Sequence, residues 1–289
     1  GYYFGDITVD PKNQERIYIT GVPLLFSDNG GKTFQSIDGD NVHSDHHVVW
    51  INPNNPNHLV NGNDGGLNIT YDNGKSWQLC NSIPVGQFYA VNVDEQEPYN
   101  IYGGLQDNGV WVGASNYSAS IGWQQEGKYP YARLLGRDGM QIQIDKRNPN
   151  IVFTGYQYGS YYRINRADES KSKFIAPKAK KGDKPYRYNW QSPILLSSHN
   201  QDILYLGSNF LHRSMNQGDT WTAISPDLTQ GGKQGNVAFG TLTTISESPF
   251  EFGVLYTGSD DGLVQFSNNG GANWKVISTT LPQNLWVSR

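Results

Sequence analysis

Apolar and polar residues alternate with a period of two along six short stretches: FGDITVD, HHVVWINP, QFYAVNVD, GMQIQID, PILLSSH and TLTTISESP. Period-two alternation rich in β-branched and aromatic residues predicts strands rather than helices. Each stretch runs into an acidic or Asn/Pro turn and a second apolar run that closes on glycine, as in DPKNQERIYITG at 10 to 21 and DKRNPNIVFTG at 145 to 155. The closing glycines, Gly21, Gly62, Gly104, Gly155, Gly207 and Gly258, step by 41, 42, 51, 52 and 51 residues. A repeat of that length holding several strands predicts an all-β fold, a β-propeller of four-stranded antiparallel blades, each with inner strand A, then B, C and outer D.

A second repeat sits between C and D. Thr70 to Trp77 reads TYDNGKSW, and the same frame recurs as SDNGGKTF from Ser27, SMNQGDTW from Ser214 and SNNGGANW from Ser267. The residues expected to build these hairpin tips are Ser27, Asn29, Gly31 and Phe34; Thr70, Asp72, Gly74 and Trp77; Ser214, Asn216, Gly218 and Trp221; and Ser267, Asn269, Gly271 and Trp274. A short Asp or Asn side chain bonds turn amides, glycine permits a positive φ, and the aromatic anchors the next strand. The third unit has GASNYSASIGWQ instead, with Trp123 as the substitute anchor.

The parse places blades at about 1–40, 41–83, 84–128, 129–190, 191–235 and 236–284, with 285–289 opening a further strand A. A six-bladed ring, or a piece of a larger one completed by further blades or a second propeller, accommodates that count. The polar insert 166–189 carries Lys171, Lys173, Lys178, Lys180, Lys181 and Lys184 and reads as a solvated, mobile loop, against an anionic-ligand site.

With 289 residues and 36% apolar content the chain can bury a large core. A net charge of −4 argues against nucleic acid as a partner, no apolar run approaches a membrane span, and lone Cys80 makes no internal disulfide. No phosphate cradle or GxSxG nucleophile motif is present, and no cofactor is expected.

The hairpin tips, the D/N-P-x-N turns and the run HHVVWINPNNPNHLVNGNDGGLNITYDNGKSW, followed by PVGQFYAVNVDEQEPYNIYGGLQDNGVW, resemble the Asp-box (BNR-repeat) propellers of the sortilin/VPS10-like or bacterial glycosyl hydrolase type. The architecture is also similar to family 74 xyloglucanases and, more distantly, to sialidases. The resemblance implies a secreted, periplasmic or cell-surface protein whose ligand site lies opposite the Asp-box turns, at the mouth formed by B–C and D–A loops.

That mouth would gather His43, Asp45, His46 and His47, then Asp64, Gln106, Asp107, Asn108, Arg137, Asp138, Asp260 and Asp261. His43, Asp45 and His46 could ligate a metal, but with no fixed ligand spacing the favoured reading is that they hydrogen-bond the inner-strand ends and each other. Asp64, Asp107, Asp138 and Asp260 are the carboxylates from which a glycoside hydrolase would draw its acid and base; the same residues in xDG turns bond their own backbone. Aromatics concentrated in units three and four, Tyr89, Trp111, Tyr129, Tyr131, Tyr156, Tyr158, Tyr161 and Tyr162, could stack sugars, anchor a peptide or fill blade wedges. The expected function is non-catalytic binding of a polysaccharide or polypeptide, with a xyloglucanase- or sialidase-like hydrolase as the alternative.

Overall fold

A computed structural model describes residues 5–80, 86–118, 120, 130–282 and 285–288. It is all-β, with six four-stranded antiparallel sheets, each a meander of consecutive strands, the arrangement of β-propeller blades. Two compact units divide them, two sheets in residues 1–86 and four in 87–289.

In the first unit β1 (Ile7–Asp10), β2 (Asn13–Ile19), β3 (Leu25–Ser27) and β4 (Gln35–Ser36) form one sheet. β5 (His46–Ile51), β6 (Leu59–Asn63), β7 (Gly66–Thr70) and β8 (Gln78–Cys80) form the next. The second unit opens with β9 (Phe88–Val93), β10 (Asn100–Leu105), β11 (Gly109–Ala114) and β12 (Tyr131–Leu135). β13 (Ile142–Ile144), β14 (Ile151–Tyr156), β15 (Ser160–Asn165) and β16 (Lys173–Phe174) follow. The last two sheets are β17 (Ile194–Leu196), β18 (Leu204–Gly207), β19 (Leu211–Ser214) and β20 (Thr222–Ala223), then β21 (Leu242–Glu247), β22 (Leu255–Ser259), β23 (Val264–Ser267) and β24 (Lys275–Val276).

The inner-strand and closing-glycine pattern therefore locates strands A and B in every sheet. Two outer strands fall elsewhere than the parse implies. β12 lies beyond residue 128, and β16 sits inside the lysine-rich segment, which is thus no mere insert: Ile175, directly after β16, is buried in the core. Neither strand is preceded by a repeat turn that would mark it. Trp123 and Tyr129 lie outside the described residues.

The core lies in the wedges between successive sheets. In the first unit Tyr18, Leu24, Phe26 and Ile37 of one sheet pack against Val49, Ile51, Leu59 and Trp77 of the next. In the second, Tyr102, Val110 and Val112 meet Ile142, Ile144 and Val152, and Met140, Phe153 and Tyr161 meet Ile194, Leu196, Leu204 and Leu206. Inner strands β9, β13, β17 and β21 line one cavity of about 220 Å³. Side-chain amides bridge them where backbone pairing is absent: Asn92 Nδ2 donates to the Ile142 carbonyl (2.9 Å), and Gln141 and Gln143 accept from the amides of Ile194 (3.1 Å) and Leu196 (3.2 Å).

Both turn families act as the residue types dictate. At every A–B turn the first side chain accepts the amide two residues on: Asp10 from Lys12, Asn52 from Asn54, Asp94 from Gln96, Asp145 from Arg147, Ser197 from His199 and Ser248 from Phe250. At the four repeat turns the hydroxyl accepts the amide four residues on, from Gly31, Gly74, Gly218 or Gly271, at 2.8 to 3.0 Å. The aromatic does more than anchor its own strand. The Trp77 indole N–H donates to the Ile37 carbonyl of the preceding sheet (2.7 Å), Trp274 does so to Ile224 (3.1 Å), and Trp221 to Ile175. Gly74 has φ +83°, and a Cβ there would lie 2.8 Å from that of Ile37, so the turn and the preceding sheet fit only around glycine.

The entries to β5, β13 and β21 also hydrogen-bond the preceding sheet's B–C end. His46 N donates to the Gly21 carbonyl (3.0 Å), Gly139 N to Leu105 (2.9 Å) and Leu242 N to Ser208 (2.7 Å). Val287 N donates to Ser259 in the same way (3.1 Å).

Candidate functional site

In the first unit the start of β5 and the β6–β7 loop bring His47 and Asp64 together, with Nε2 to Oδ1 at 2.5 Å. Asp64 N also donates to the Asp45 carbonyl (3.2 Å). His43 Nδ1 lies 3.4 Å from Asp45 Oδ2. His46, the first residue of β5, points the other way: it is fully buried, with Nδ1 on Asn61 Oδ1 (2.9 Å) and Nε2 3.6 Å from Asp38 Oδ2. Successive strand residues face opposite sides, so His46 and His47 cannot share one ligand. Among the described residues no group of three His, Cys, Asp or Glu side chains is gathered as a metal site, and His43, Asp45 and His46 do not form one. Behind His46, Asn61, Asn63 and Asn68 join in an amide network that Asn41 extends to the Trp77 carbonyl.

In the second unit Asp138 is the organising residue. Its Oδ1 accepts the Asp107 amide (3.1 Å), and its Oδ2 accepts from the Gln157 side chain, so one carboxylate ties the B–C loops of successive sheets. Gln106 N is held by the Gln87 carbonyl (2.9 Å), and Asn108 Nδ2 donates to the Gln106 carbonyl (3.1 Å). Asp107, Arg137 and Tyr158 all take left-handed backbone angles, φ +60°, +65° and +58°. The Arg137 guanidinium lies 4.8 Å over the Tyr156 ring, while Tyr156 and Tyr162 share a hydroxyl contact of 3.3 Å.

An aromatic platform adjoins this tie. Tyr158 and Trp190 meet edge to face at 5.4 Å and remain 42% and 38% exposed. The Trp190 indole donates to the Tyr89 hydroxyl (3.3 Å). Burial, with the charges of Asp138 and Asp107, pushes the Tyr89 phenol above its ordinary pKa despite that donation. Tyr161, by contrast, is core, its hydroxyl bonded to the Ser192 carbonyl (2.7 Å).

Asp260 and Asp261 stand elsewhere and are buried. Asp260 Oδ1 accepts the amides of Gly240 (3.0 Å) and Thr241 (2.9 Å), and Oδ2 the Thr241 hydroxyl (2.7 Å). Asp261 takes the Gln230 amide (2.6 Å) and the Ser259 hydroxyl (2.5 Å). Sequence patterns did not single out Gln157 or Trp190. The signal for Gln157 was positional, since Gln157-Tyr158-Gly159 occupies in its sheet the loop that Gln106-Asp107-Asn108-Gly109 occupies in the preceding one; Trp190, in the β16–β17 connection, had no such counterpart.

No family model and no curated protein matches the chain. Solved structures do resemble it. A GH74 xyloglucanase from Xanthomonas campestris is 15% identical with a TM-score of 0.41, over 92% of this chain and 45% of that one. YCF48 from Cyanidioschyzon merolae is 12% identical with a TM-score of 0.45, over 98% and 87%. The extracellular domain of BT4673 from B. thetaiotaomicron is 14% identical with a TM-score of 0.44, over 94% and 33%. The chain thus spans less than half of the xyloglucanase, and at these identities the likeness is one of fold. Among the described residues no helix is long and apolar enough to cross a membrane.

Proposed function

We infer that the chain is a non-catalytic, Asp-box-type propeller of the cell exterior or periplasm that binds a polysaccharide or polypeptide at the B–C and D–A loops of the second unit. One observation carries this reading. Two of the four carboxylates a hydrolase would draw on are spent on holding loops, Asp138 between two B–C loops and Asp260 on three donors of one connection, and a third, Asp64, is bonded to His47 in the first unit. The exposed groups adjoining the Asp138 tie include the Tyr158 and Trp190 rings and the Arg137 guanidinium. A glycosidase needs two carboxyl groups free to exchange protons, whereas rings and a guanidinium suit recognition.

The test is a glycan and peptide panel read by calorimetry and by reducing-end release. Trp190→Ala together with Tyr158→Ala should weaken the bound ligand by about tenfold or more, a stacking loss of 1–3 kcal/mol per ring. Asp260→Asn, which keeps one oxygen for the Gly240 and Thr241 amides and presents an amide donor to the Thr241 hydroxyl, should leave affinity unchanged. Turnover of any glycan that disappears in Asp260→Asn or Asp138→Asn would replace this reading with the hydrolase.

A further inference from the structure

The connection from β16 to β17 is ordered and concentrates positive charge at the binding end of the second unit. Ile175 N donates to the Tyr161 carbonyl (2.9 Å), which continues the direction of β16 toward the β14–β15 loop. Beyond it the Tyr188 hydroxyl holds the Pro177 carbonyl (2.9 Å), a turn closes through Asp183 N to the Lys180 carbonyl (3.0 Å), and the Tyr188 ring lies against Gly159. Arg187 N donates to Asn209 Oδ1 (3.0 Å), fixing the segment to the next sheet's B–C loop. This stretch, 176–190, ends at Trp190, half of the aromatic platform.

Residues 176–190 contain five cationic side chains and one carboxylate, Asp183. Arg187 is committed, to Asp227 (2.8 Å) and the Gly240 carbonyl (3.0 Å). Lys178, Lys180, Lys181 and Lys184 are exposed, and none takes part in an ion pair found among the described residues. Three lysines outside the loop are paired, Lys146 2.6 Å from Glu95, Lys171 3.0 Å from Asp168 and Lys173 2.6 Å from Asp219; Lys12, Lys32, Lys75, Lys233 and Lys275 are, like the four, in no ion pair found among the described residues, but they are scattered along the chain rather than gathered within seven residues. In a chain of net charge −4, four ammonium groups outside any ion pair, one of them, Lys178, 5.3 Å over the Phe174 ring, stand on one anchored loop against the single carboxylate of Asp183, and with Arg137 on a neighbouring loop make a local field of the opposite sign.

We propose that the ligand is an anionic glycan, a chain of uronic-acid pyranoses whose ring faces stack on Trp190 and Tyr158 while their carboxylates pair with Arg137 and the four lysines. This rests on the binding reading above and narrows it. An acidic peptide would satisfy the charges but has no flat saturated ring to lay on the exposed aromatics, so the glycan accounts for both features.

The probes are polygalacturonate, neutral xyloglucan oligosaccharides and polyglutamate, titrated into the intact chain. Polygalacturonate should bind tightest, and its affinity should fall about tenfold or more between about 0.05 and about 0.5 M salt. Reversing Lys178, Lys180, Lys181 and Lys184 to Glu should cost about tenfold or more. The same number of reversals at Lys12, Lys32, Lys75 and Lys275, on the repeat-turn side, should cost less than about twofold. Xyloglucan binding that equals polygalacturonate and ignores the lysine reversals would overturn the anionic assignment and leave the binding reading standing. Tighter capture of polyglutamate, or equal damage from the control reversals, would also overturn it. Absence of binding to every glycan and peptide removes both.

Discussion

Replacing Trp77 by Phe isolates the bond by which a repeat turn grips the sheet before it. The indole is 8% exposed and its N–H donates to the Ile37 carbonyl at 2.7 Å. Phe fills most of the wedge but leaves that carbonyl unpaired. An unsatisfied buried acceptor costs about 1–3 kcal/mol, and the space left by the smaller ring adds about 1 kcal/mol. The sum, about 2–4 kcal/mol, should appear as a rise of about 30-fold or more in amide hydrogen exchange in β4 and β8, since each 1.4 kcal/mol is a factor of ten. The chain supplies its own control. Phe34 occupies the same position in the first turn, is 40% exposed and has no N–H to give, so Phe34→Ala should cost less than about 1 kcal/mol. Equal effects of the two substitutions would refute the idea that the indole bond, rather than bulk at that position, secures the turn.

Asp72 is the one carboxylate at the third position of the four turns; hydrogen bonds from the Ser76 hydroxyl and amide and from Thr70 lower its pKa to about 2. The stability it confers is present above the ordinary value of 3.8 and is lost as pH falls toward about 2. Asp72→Asn should be near neutral at pH about 7, because Asn29 and Asn216 make the same turn by donating to the hydroxyl instead, and it should flatten the acid limb of urea titrations below pH about 4. Burial lowers the pKa of His212 from 6.5 to about 4, so the unfolded chain binds a proton in that interval that the folded one does not. Stability should therefore fall as pH drops from about 6.5 to about 4, and His212→Gln should remove that slope in urea midpoints. At Gly104 a Cβ would lie 2.2 Å from the Met140 carbonyl oxygen, so Gly104→Ala should lower the melting temperature of the second unit by several degrees, a cost of about 1–3 kcal/mol.

The strand layout was legible because alternation, Asx turns and closing glycines are local properties, recorded within a few residues of where they act. Thus His46 to Ile51 and Leu59 to Asn63 announce an inner pair without reference to the rest of the chain. Outer strands β12 and β16 were not legible, for they are two to five residues long, exposed, and defined only by the partner they pair with. The site was half legible. Asp107, Arg137 and Asp138 were visible as loop tips, but the donors that occupy a carboxylate come from far along the chain, as Gln157 does for Asp138, and no spacing rule foretells them. The histidines show the same limit: strand parity separates His46 from His47, while the burial of His46 depends on Asn61, fifteen residues away.

The indole bond also changes what counts as a module. Because Trp77, Trp221 and Trp274 each close on a carbonyl belonging to the sheet before, separating those sheets severs the indole bond that joins them. Grafts and circular permutants should instead be opened within a repeat turn's outer hairpin partner, or carry the isoleucine-bearing exit of the donor along with its tryptophan. A transplanted sheet with a foreign exit would bring its indole to an unmatched wall.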